Sequence, residues 1–248
     1  MRDTAPIYAF SAAERTFEDG RAEDWGWTAQ ESTLDFLALL SPSNRRRLLE
    51  GSTRVVYPAG TIVIEPDGPP VALVIERGLA RCYWSVPDGR QATIAFLHPT
   101  ELVCPSFVGR YSCAFMQAIT ETTVTILDPE TLKELAATEL DVATALSAHL
   151  AMRVRNAHRL IAVRSLGSIR ERVAYDLLER ASQSQLIVGR LEVKATQADI
   201  ADSIGSSREV ISRALTSLRA RGIVETAPGV IRILAPTFLA SIISTFVI

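Results

Sequence analysis

The sequence predicts an α+β protein with a region of short strands, one long helix and a C-terminal pair of short helices joined by a turn. Between residues 53 and 127, short β-branched runs are separated by Pro, Gly and Asp, which is typical of an all-β region. From residue 140 to 166, apolar or small residues recur every three or four positions, as one face of a helix requires. The candidate strands are 53–57, 61–64, 72–76, 80–86, 91–97, 114–120 and 122–127.

These patterns divide the chain into four segments. At 248 residues the chain can bury one or two packed cores. Residues 1–30 are polar, acidic and short of aliphatic residues, so we expect a poorly ordered lead. Residues 31–139 hold two short helices and the strand region, residues 140–166 form the long helix, and residues 167–248 form a second domain.

Residues 196–215 are typical of a helix-turn-helix. Thr196 can cap the first helix, and Gly205 suits the left-handed residue that ends it because glycine has no Cβ to clash. Ser206 and Ser207 then offer hydroxyls that can cap the second helix. We therefore predict two short helices that meet at a tight turn.

The second of these helices has a polar face suited to reading DNA. Its members are Arg208, Glu209, Ser212 and Arg213. Arginine can donate two hydrogen bonds to guanine, glutamate can accept from the amino group of cytosine, and the first turns of such a helix enter the major groove. The alternative is an ordinary solvated helix face.

The distribution of charge favours the DNA-reading interpretation. Residues 1–150 hold 12 Lys/Arg and 20 Asp/Glu, a formal charge of −8, whereas residues 151–248 hold 14 and 8, a formal charge of +6. The C-terminal segment is therefore attracted to phosphate and the N-terminal segment is not.

Other functional classes find little support in the sequence. A polar N-terminus and the lack of an 18-residue apolar run predict a cytoplasmic protein with no membrane partner. The three cysteines, Cys82, Cys104 and Cys113, are odd in number and form no Cys-x-x-Cys motif, so we expect neither a disulfide framework nor a metal site. No nucleophile–base pair stands out, and we do not expect an enzyme.

Residues 196–233 resemble the winged helix-turn-helix of the Crp/Fnr family of bacterial transcription regulators, with a wing turned at Pro228-Gly229. The strand region resembles the family's sensor, a double-stranded β-roll of the cyclic-nucleotide-binding fold, with its turn glycines at residues 57–60, 76–78 and 88–90. The likeness covers about residues 33 to 240. It implies a homodimer that binds an inverted repeat in double-stranded DNA and works with RNA polymerase, most simply as an activator.

The resemblance also implies roles for individual residues. Base contacts fall to Arg208, Glu209, Ser212 and Arg213, with Glu209 and Arg213 reading a TGA-type core in each half-site and Arg208 a further guanine. Phosphate contacts fall to Thr196, Gln197, Ser206 and Ser207. In the family the long helix pairs two subunits, and the narrow apolar stripe predicted as the seam is Leu146, Leu150, Val154, Ala157 and Ile161. The alternative for this helix is packing on its own β-roll.

The sensor departs from the family's nucleotide-binding pattern, Gly-Glu-Leu-Gly followed about ten residues later by Arg-Ser. Here Glu101 and Leu102 match, but both glycines are absent and Ser112 stands in the arginine position. A buried phosphate without a fixed cation bears an uncompensated desolvation cost, so we expect neither cyclic AMP nor cyclic GMP. The predicted effector pocket suits a small apolar molecule, or none, and comprises Glu101, Phe107, Ser112, Cys113 and Phe115.

Several alternatives for the sensor remain open. A shifted loop could bring in Arg110 as the missing cation, and Cys104 with Cys113 could form a redox pair. Haem ligation by a histidine (His98, His149 or His158) or a cysteine is a further alternative, whereas an N-terminal segment without cysteine does not support an iron–sulfur cluster. From a different class, the chain could be a metabolite-binding module whose helix-turn-helix is structural.

Overall fold

Eight strands form two antiparallel four-stranded sheets in a computed structural model that describes residues 34–104, 114–182 and 191–246. One sheet has the strand order β1-β8-β3-β6 and the other β2-β7-β4-β5. The strands are β1 Thr53–Tyr57, β2 Ile62–Ile64, β3 Ala72–Arg77, β4 Ala80–Ser85, β5 Gln91–Leu97, β6 Leu102–Val103, β7 Phe115–Ala118 and β8 Thr122–Leu127. Residues of both sheets, among them Ile75, Leu97 and Met116, share one apolar core, as a β-roll requires.

Seven α-helices accompany the strands in the described residues. They are α1 Pro42–Leu49, α2 Pro129–Thr138, α3 Leu140–Leu166, α4 Ile169–Ala181, α5 Gln197–Ile204, α6 Arg208–Ala220 and α7 Pro236–Ile242. The three remaining strands, β9 Leu191–Lys194, β10 Val224–Ala227 and β11 Val230–Ile233, form one antiparallel sheet beside them. A second apolar core joins α4 to α7 with this sheet and also includes Leu79 and Phe96 of the β-roll and Leu160 and Val163 of α3, so the C-terminal part packs on the sensor.

Helix α3 has the predicted bounds and two different faces. One face is buried against the β-roll, including Val142, His149 and Val163. The other carries exposed apolar side chains, at Leu150, Val154 and Ile161. The helix ends at Gly167, where a Cβ would collide with the carbonyl oxygen of Val163. Packing on its own β-roll therefore holds for one face, and the exposed face leaves subunit pairing as a prediction.

The sequence-based assignments agree with most of the fold. The predicted strands 53–57, 91–97 and 122–127 have the observed bounds, whereas 114–120 is shortened to four residues. The wing strands turn at Pro228-Gly229 as predicted. Helices α2 and α7 and strands β6 and β9 were not predicted, and the expected lead at 1–30 lies outside the described residues. Within the described ranges, no helix is both long and apolar enough to cross a membrane.

Candidate nucleic-acid interface

Helix α5 is fixed at both ends by the residues that the sequence singled out. At its start, the Asp199 amide donates to Thr196 Oγ1 over 3.1 Å, and the Thr196 amide donates to Asp199 Oδ2 over 2.7 Å. This reciprocal capping box satisfies amides that lack partners within the helix. At its end, Gly205 is left-handed with φ 66°, and the Ser206 amide donates to the Ala201 carbonyl over 2.9 Å. The turn thereby sets the direction of α6.

Helix α6 separates an apolar face from a polar one. Ser207 caps it by accepting from the Val210 amide over 3.4 Å. Its apolar face is buried in the C-terminal core and consists of Ile211, Ala214, Leu215 and Leu218. Because that face is covered, the opposite face projects outward: Arg208, Glu209 and Arg213 are exposed and Ser212 is half-buried. All four predicted base-contacting residues therefore lie together on the solvent side of one helix.

The place of Glu209 in the first turn of α6 lowers the pKa of its carboxyl, which is ionised at neutral pH. A backbone amide hydrogen bond lowers the pKa of its carboxyl most, followed by the Ser207 side chain and the charges of Arg208 and Arg213. An ionised carboxylate only accepts hydrogen bonds, so it suits the amino group of cytosine and is repelled by phosphate. This charge pattern favours contact with base edges at Glu209.

A groove of about 540 Å³ runs between α5, α6 and the wing. Thr196 and Gln197 line one wall, Arg208 lies on another, and Pro228 and Gly229 form the wing side. The Arg219 guanidinium ties α6 to the wing by donating to Thr226 Oγ1 over 3.1 Å. Ser206 and Ser207 lie in the turn beyond the groove, half-buried and exposed respectively. The predicted phosphate contacts thus form two groups, one lining the groove and one in the turn at the start of α6.

The predicted seam is exposed on α3 except at its first residue. Leu150, Val154 and Ile161 are 58%, 53% and 59% exposed, and Ala157 is exposed between them. Leu146 is only 8% exposed and packs in a core with Phe36 and Leu40 of its own β-roll. The placement of Leu146 on the seam is therefore corrected, and the free apolar stripe begins at Leu150.

Glu101 is a buried residue of the sensor, and only one of its two carboxylate oxygens accepts a hydrogen bond among the described residues. It is 2% exposed, and its Oε2 accepts from Arg153 Nη1 of α3 over 3.2 Å. Its Oε1 has no hydrogen-bond partner among the described residues. Burial raises the pKa of this carboxyl, although His98 and Arg153 act in the opposite direction. The preceding Thr100 has φ 73°, an unusual conformation for a β-branched residue.

Arg153 was not predicted to be a sensor residue. A cation was expected only from the loop after Glu101, whereas the structure supplies one from the long helix. Arg153 follows His149 by four positions, so it shares the face of α3 that packs on the β-roll. Phe115, also predicted for this pocket, stacks on Tyr83 with ring centroids 5.1 Å apart. Phe107, Arg110, Ser112 and Cys113 lie outside the described residues.

Two thiols lie near the sensor pocket in protonated form. Burial raises the pKa of Cys82, and it raises that of Cys104 to about 11. A thiol with so high a pKa is a weak nucleophile at neutral pH. Burial lowers the pKa of His149 to about 4, so its ring is neutral where it meets the edge of Phe36. Across the described ranges, no group of three or more His, Cys, Asp or Glu side chains is arranged to hold a metal.

Comparisons with known proteins agree with this geometry. Residues 171–242 match the Crp-like helix-turn-helix domain. A cyclic AMP receptor protein of Thermus thermophilus is 29% identical over 207 residues, covering 82% of this chain and 94% of that protein. The nitrogen fixation regulation protein FixK of Rhizobium meliloti is 27% identical over 150 residues, covering 60% of this chain and 67% of that protein.

Solved structures show the same fold. FixK2 from Bradyrhizobium japonicum superposes with a TM-score of 0.66 at 25% identity, covering 77% of this chain and 96% of that one. A regulator of the Crp/Fnr family from Eubacterium rectale gives a TM-score of 0.69 at 24% identity, covering 85% of this chain and 98% of that one.

The β-roll, the long helix and the winged helix-turn-helix with its exposed polar face define a DNA-binding transcription regulator. Residues 171–242 carry the Crp-like helix-turn-helix domain, and the chain as a whole is similar to regulators of the Crp/Fnr family.

Proposed function

We propose that the protein acts, without catalysis, as a homodimeric transcription activator that binds an inverted repeat through the polar face of α6 and works with RNA polymerase. The observation that supports this most is the exposure of Arg208, Glu209 and Arg213 on a helix whose other face is buried. Such a helix offers the major groove one carboxylate that accepts hydrogen bonds and two guanidinium groups that donate them. This combination of donors and acceptors can read base pairs.

Homodimerisation is proposed through the exposed stripe of α3. A stripe of Leu150, Val154, Ala157 and Ile161 repeats at spacings of four and three, as a coiled-coil seam does. Isolated large side chains on a surface are ordinary, but a contiguous apolar row on one helix face marks an interaction site. A second copy presents the same row, so a two-fold axis covers both at once.

Substitution of a residue proposed to contact phosphate should affect DNA binding differently from substitution of a residue proposed to contact bases. Gln197→Ala should weaken binding to every DNA sequence by a similar factor, because a phosphate contact carries no sequence information. Gln197 is preferred over Thr196, whose hydroxyl also caps α5, so that Thr196→Ala would disturb the helix as well. Fluorescence anisotropy measures the dissociation constants for an inverted repeat and for its single-base variants. The ratio of the Gln197→Ala constant to the wild-type constant should be the same for each DNA. If Gln197→Ala changes the order of preference among these DNAs, the phosphate assignment is wrong.

We propose that the sensor does not respond to cyclic nucleotides, although one relative is named a cyclic AMP receptor protein. The glycines and the arginine of the nucleotide-binding pattern are replaced by Thr100, Val103 and Ser112. Arg153 is a cation in this region, but it already pairs with Glu101 Oε2. The raised pKa values of Cys82 and Cys104 likewise argue against regulation by either thiol.

Titration calorimetry tests the sensor proposal. Cyclic AMP and cyclic GMP should bind more weakly than about 1 mM, which corresponds to less than about 4 kcal/mol of binding free energy. Arg110→Ala should leave this result unchanged, because the proposal gives that side chain no phosphate to hold. A dissociation constant in the micromolar range for either nucleotide would contradict the proposal.

A further inference from the structure

A buried pair of ionisable groups joins the sensor to the DNA-binding domain. His98 directly follows β5, and Glu179 lies on α4, 81 residues later. Their Nε2 and Oε2 atoms are 2.9 Å apart, and both side chains are less than one-tenth exposed. The other ring nitrogen, Nδ1, is 3.3 Å from Ser182 Oγ at the end of α4. The imidazole is therefore held on both sides by the DNA-binding domain.

Charged and titratable groups reach this pair from every element that packs on it. From α4, the Tyr175 hydroxyl bonds to Glu179. From the loop after β5, Glu101 acts on His98 with its charge, and from α3 so does Arg153. The two negative charges of Glu179 and Glu101 thus outnumber the one positive charge of Arg153 around the His98 ring. This balance of charge favours a protonated imidazole.

A second junction between the same two domains contains no histidine. Thr93 Oγ1 of β5 lies 2.9 Å from Ser203 Oγ of α5. Arg164 Nη2 donates to the carbonyls of Ser203 over 2.6 Å and of Thr93 over 3.3 Å. Ser203 also bonds to Asp176, which forms a buried ion pair with Arg180 over 2.7 Å. Of these two junctions, the one at His98 therefore combines burial with a group whose ordinary pKa is near 6.5.

We propose that His98 is a proton-dependent latch, and that protonation of its ring holds the DNA-binding domain against the sensor sheet. The pair lines a partly open cavity of about 720 Å³ between α3, β5 and α4, so protons can exchange without unfolding of either domain. Loss of the proton leaves the Glu179 carboxylate buried beside a neutral ring, which weakens docking.

The direction of the pH effect follows from the docked state. Burial lowers the pKa of His98, but the hydrogen bond and charge of Glu179, with the charge of Glu101, outweigh burial and the repulsion from Arg153 and raise it. A raised pKa in the docked state means that docking is strongest below the ordinary value of about 6.5 and is lost as pH rises through the raised value. Each unit of increase corresponds to about a tenfold change in the docking equilibrium.

Two measurements on the full-length protein test the latch. In a protein carrying ¹³C-labelled histidine, NMR measures the titration of the three imidazole signals. Each signal is assigned by its loss in His98→Gln, His149→Gln or His158→Gln. Hydrogen exchange then reports docking through the amides of β5 and α5, which pack together. The exchange rate of each amide in wild type is divided by its rate in His98→Gln at the same pH. This ratio cancels the intrinsic pH dependence of amide exchange. His149→Gln is the matched control, since that buried ring stays neutral over the range.

The latch predicts that His98 titrates above its ordinary value and that the exchange ratio increases between pH 6 and pH 9, by about tenfold for each unit by which docking raises the pKa. His149→Gln should follow wild type. A His98 ring that titrates at or below about 6.5, or a ratio that stays constant across the range, would overturn the latch. Neither readout uses DNA, so failure here is distinguishable from failure of DNA recognition.

Discussion

Leu150→Glu should convert the protein to monomers and reduce its affinity for an inverted repeat by at least about a hundredfold. Leu150 is 58% exposed on the free stripe of α3. Full burial of an exposed leucine contributes about 1.5 to 3 kcal/mol; because Leu150 is 58% exposed and a two-fold axis counts the loss twice, the substitution should weaken the dimer by about 2 to 3.5 kcal/mol. Two glutamates brought together at the axis add repulsion. Sedimentation at micromolar protein, together with anisotropy on the repeat, measures both effects.

Leu166→Glu is the matched control for this substitution. Leu166 is 78% exposed at the last residue of the same helix, but it lies well around the helix from Ile161. The Leu166→Glu protein should therefore remain dimeric and bind the repeat nearly as wild type does. A Leu150→Glu protein that still sediments as a dimer at micromolar concentration would show that α3 does not form the interface.

The sequence predicted the strands and the helix-turn-helix well because their signals are local. Short β-branched runs bounded by turn residues identify β5 and β8 without knowledge of their partners, and the turn at Gly205 depends on one residue without a Cβ. Strand β6 is only two residues long, too short for a period to emerge. Helix α2 was missed although Asp128 caps it by accepting from the Thr131 amide over 2.9 Å. The Asp128 cap is nevertheless a local feature of the sequence.

Contacts between distant residues were not accessible in the same way. Leu146 fits the spacing of the stripe, yet it packs on its own β-roll, because four positions in a helix leave it about 40° around the axis from Leu150, on the side of Val142 and His149. Arg153 and Glu101 are 52 residues apart, and His98 and Glu179 are 81 apart. Their pairing depends on how α3 and α4 dock on the sheets, which no local pattern specifies.

Glu209→Ala should remove the preference for one base pair in each half-site while leaving the protein folded. Glu209 is exposed and ionised in the first turn of α6, and its side chain takes no part in either core. Loss of a hydrogen bond to a base costs about 1 to 3 kcal/mol per half-site, and a symmetric site doubles that cost. The effect should appear as a change in sequence preference more than as a general loss of binding.

Selection of binding sites from random DNA, with wild type and Glu209→Ala in parallel, tests most directly whether α6 reads bases. Wild type should enrich an inverted repeat whose half-site centres are one helical turn apart, about 34 Å. The half-sites should carry the TGA-type core that the family resemblance implies. Glu209→Ala should enrich the same repeat with one position per half-site no longer specified. Enrichment of an identical repeat by both proteins, or of none by wild type, would contradict the assignment of α6 as the helix that reads DNA.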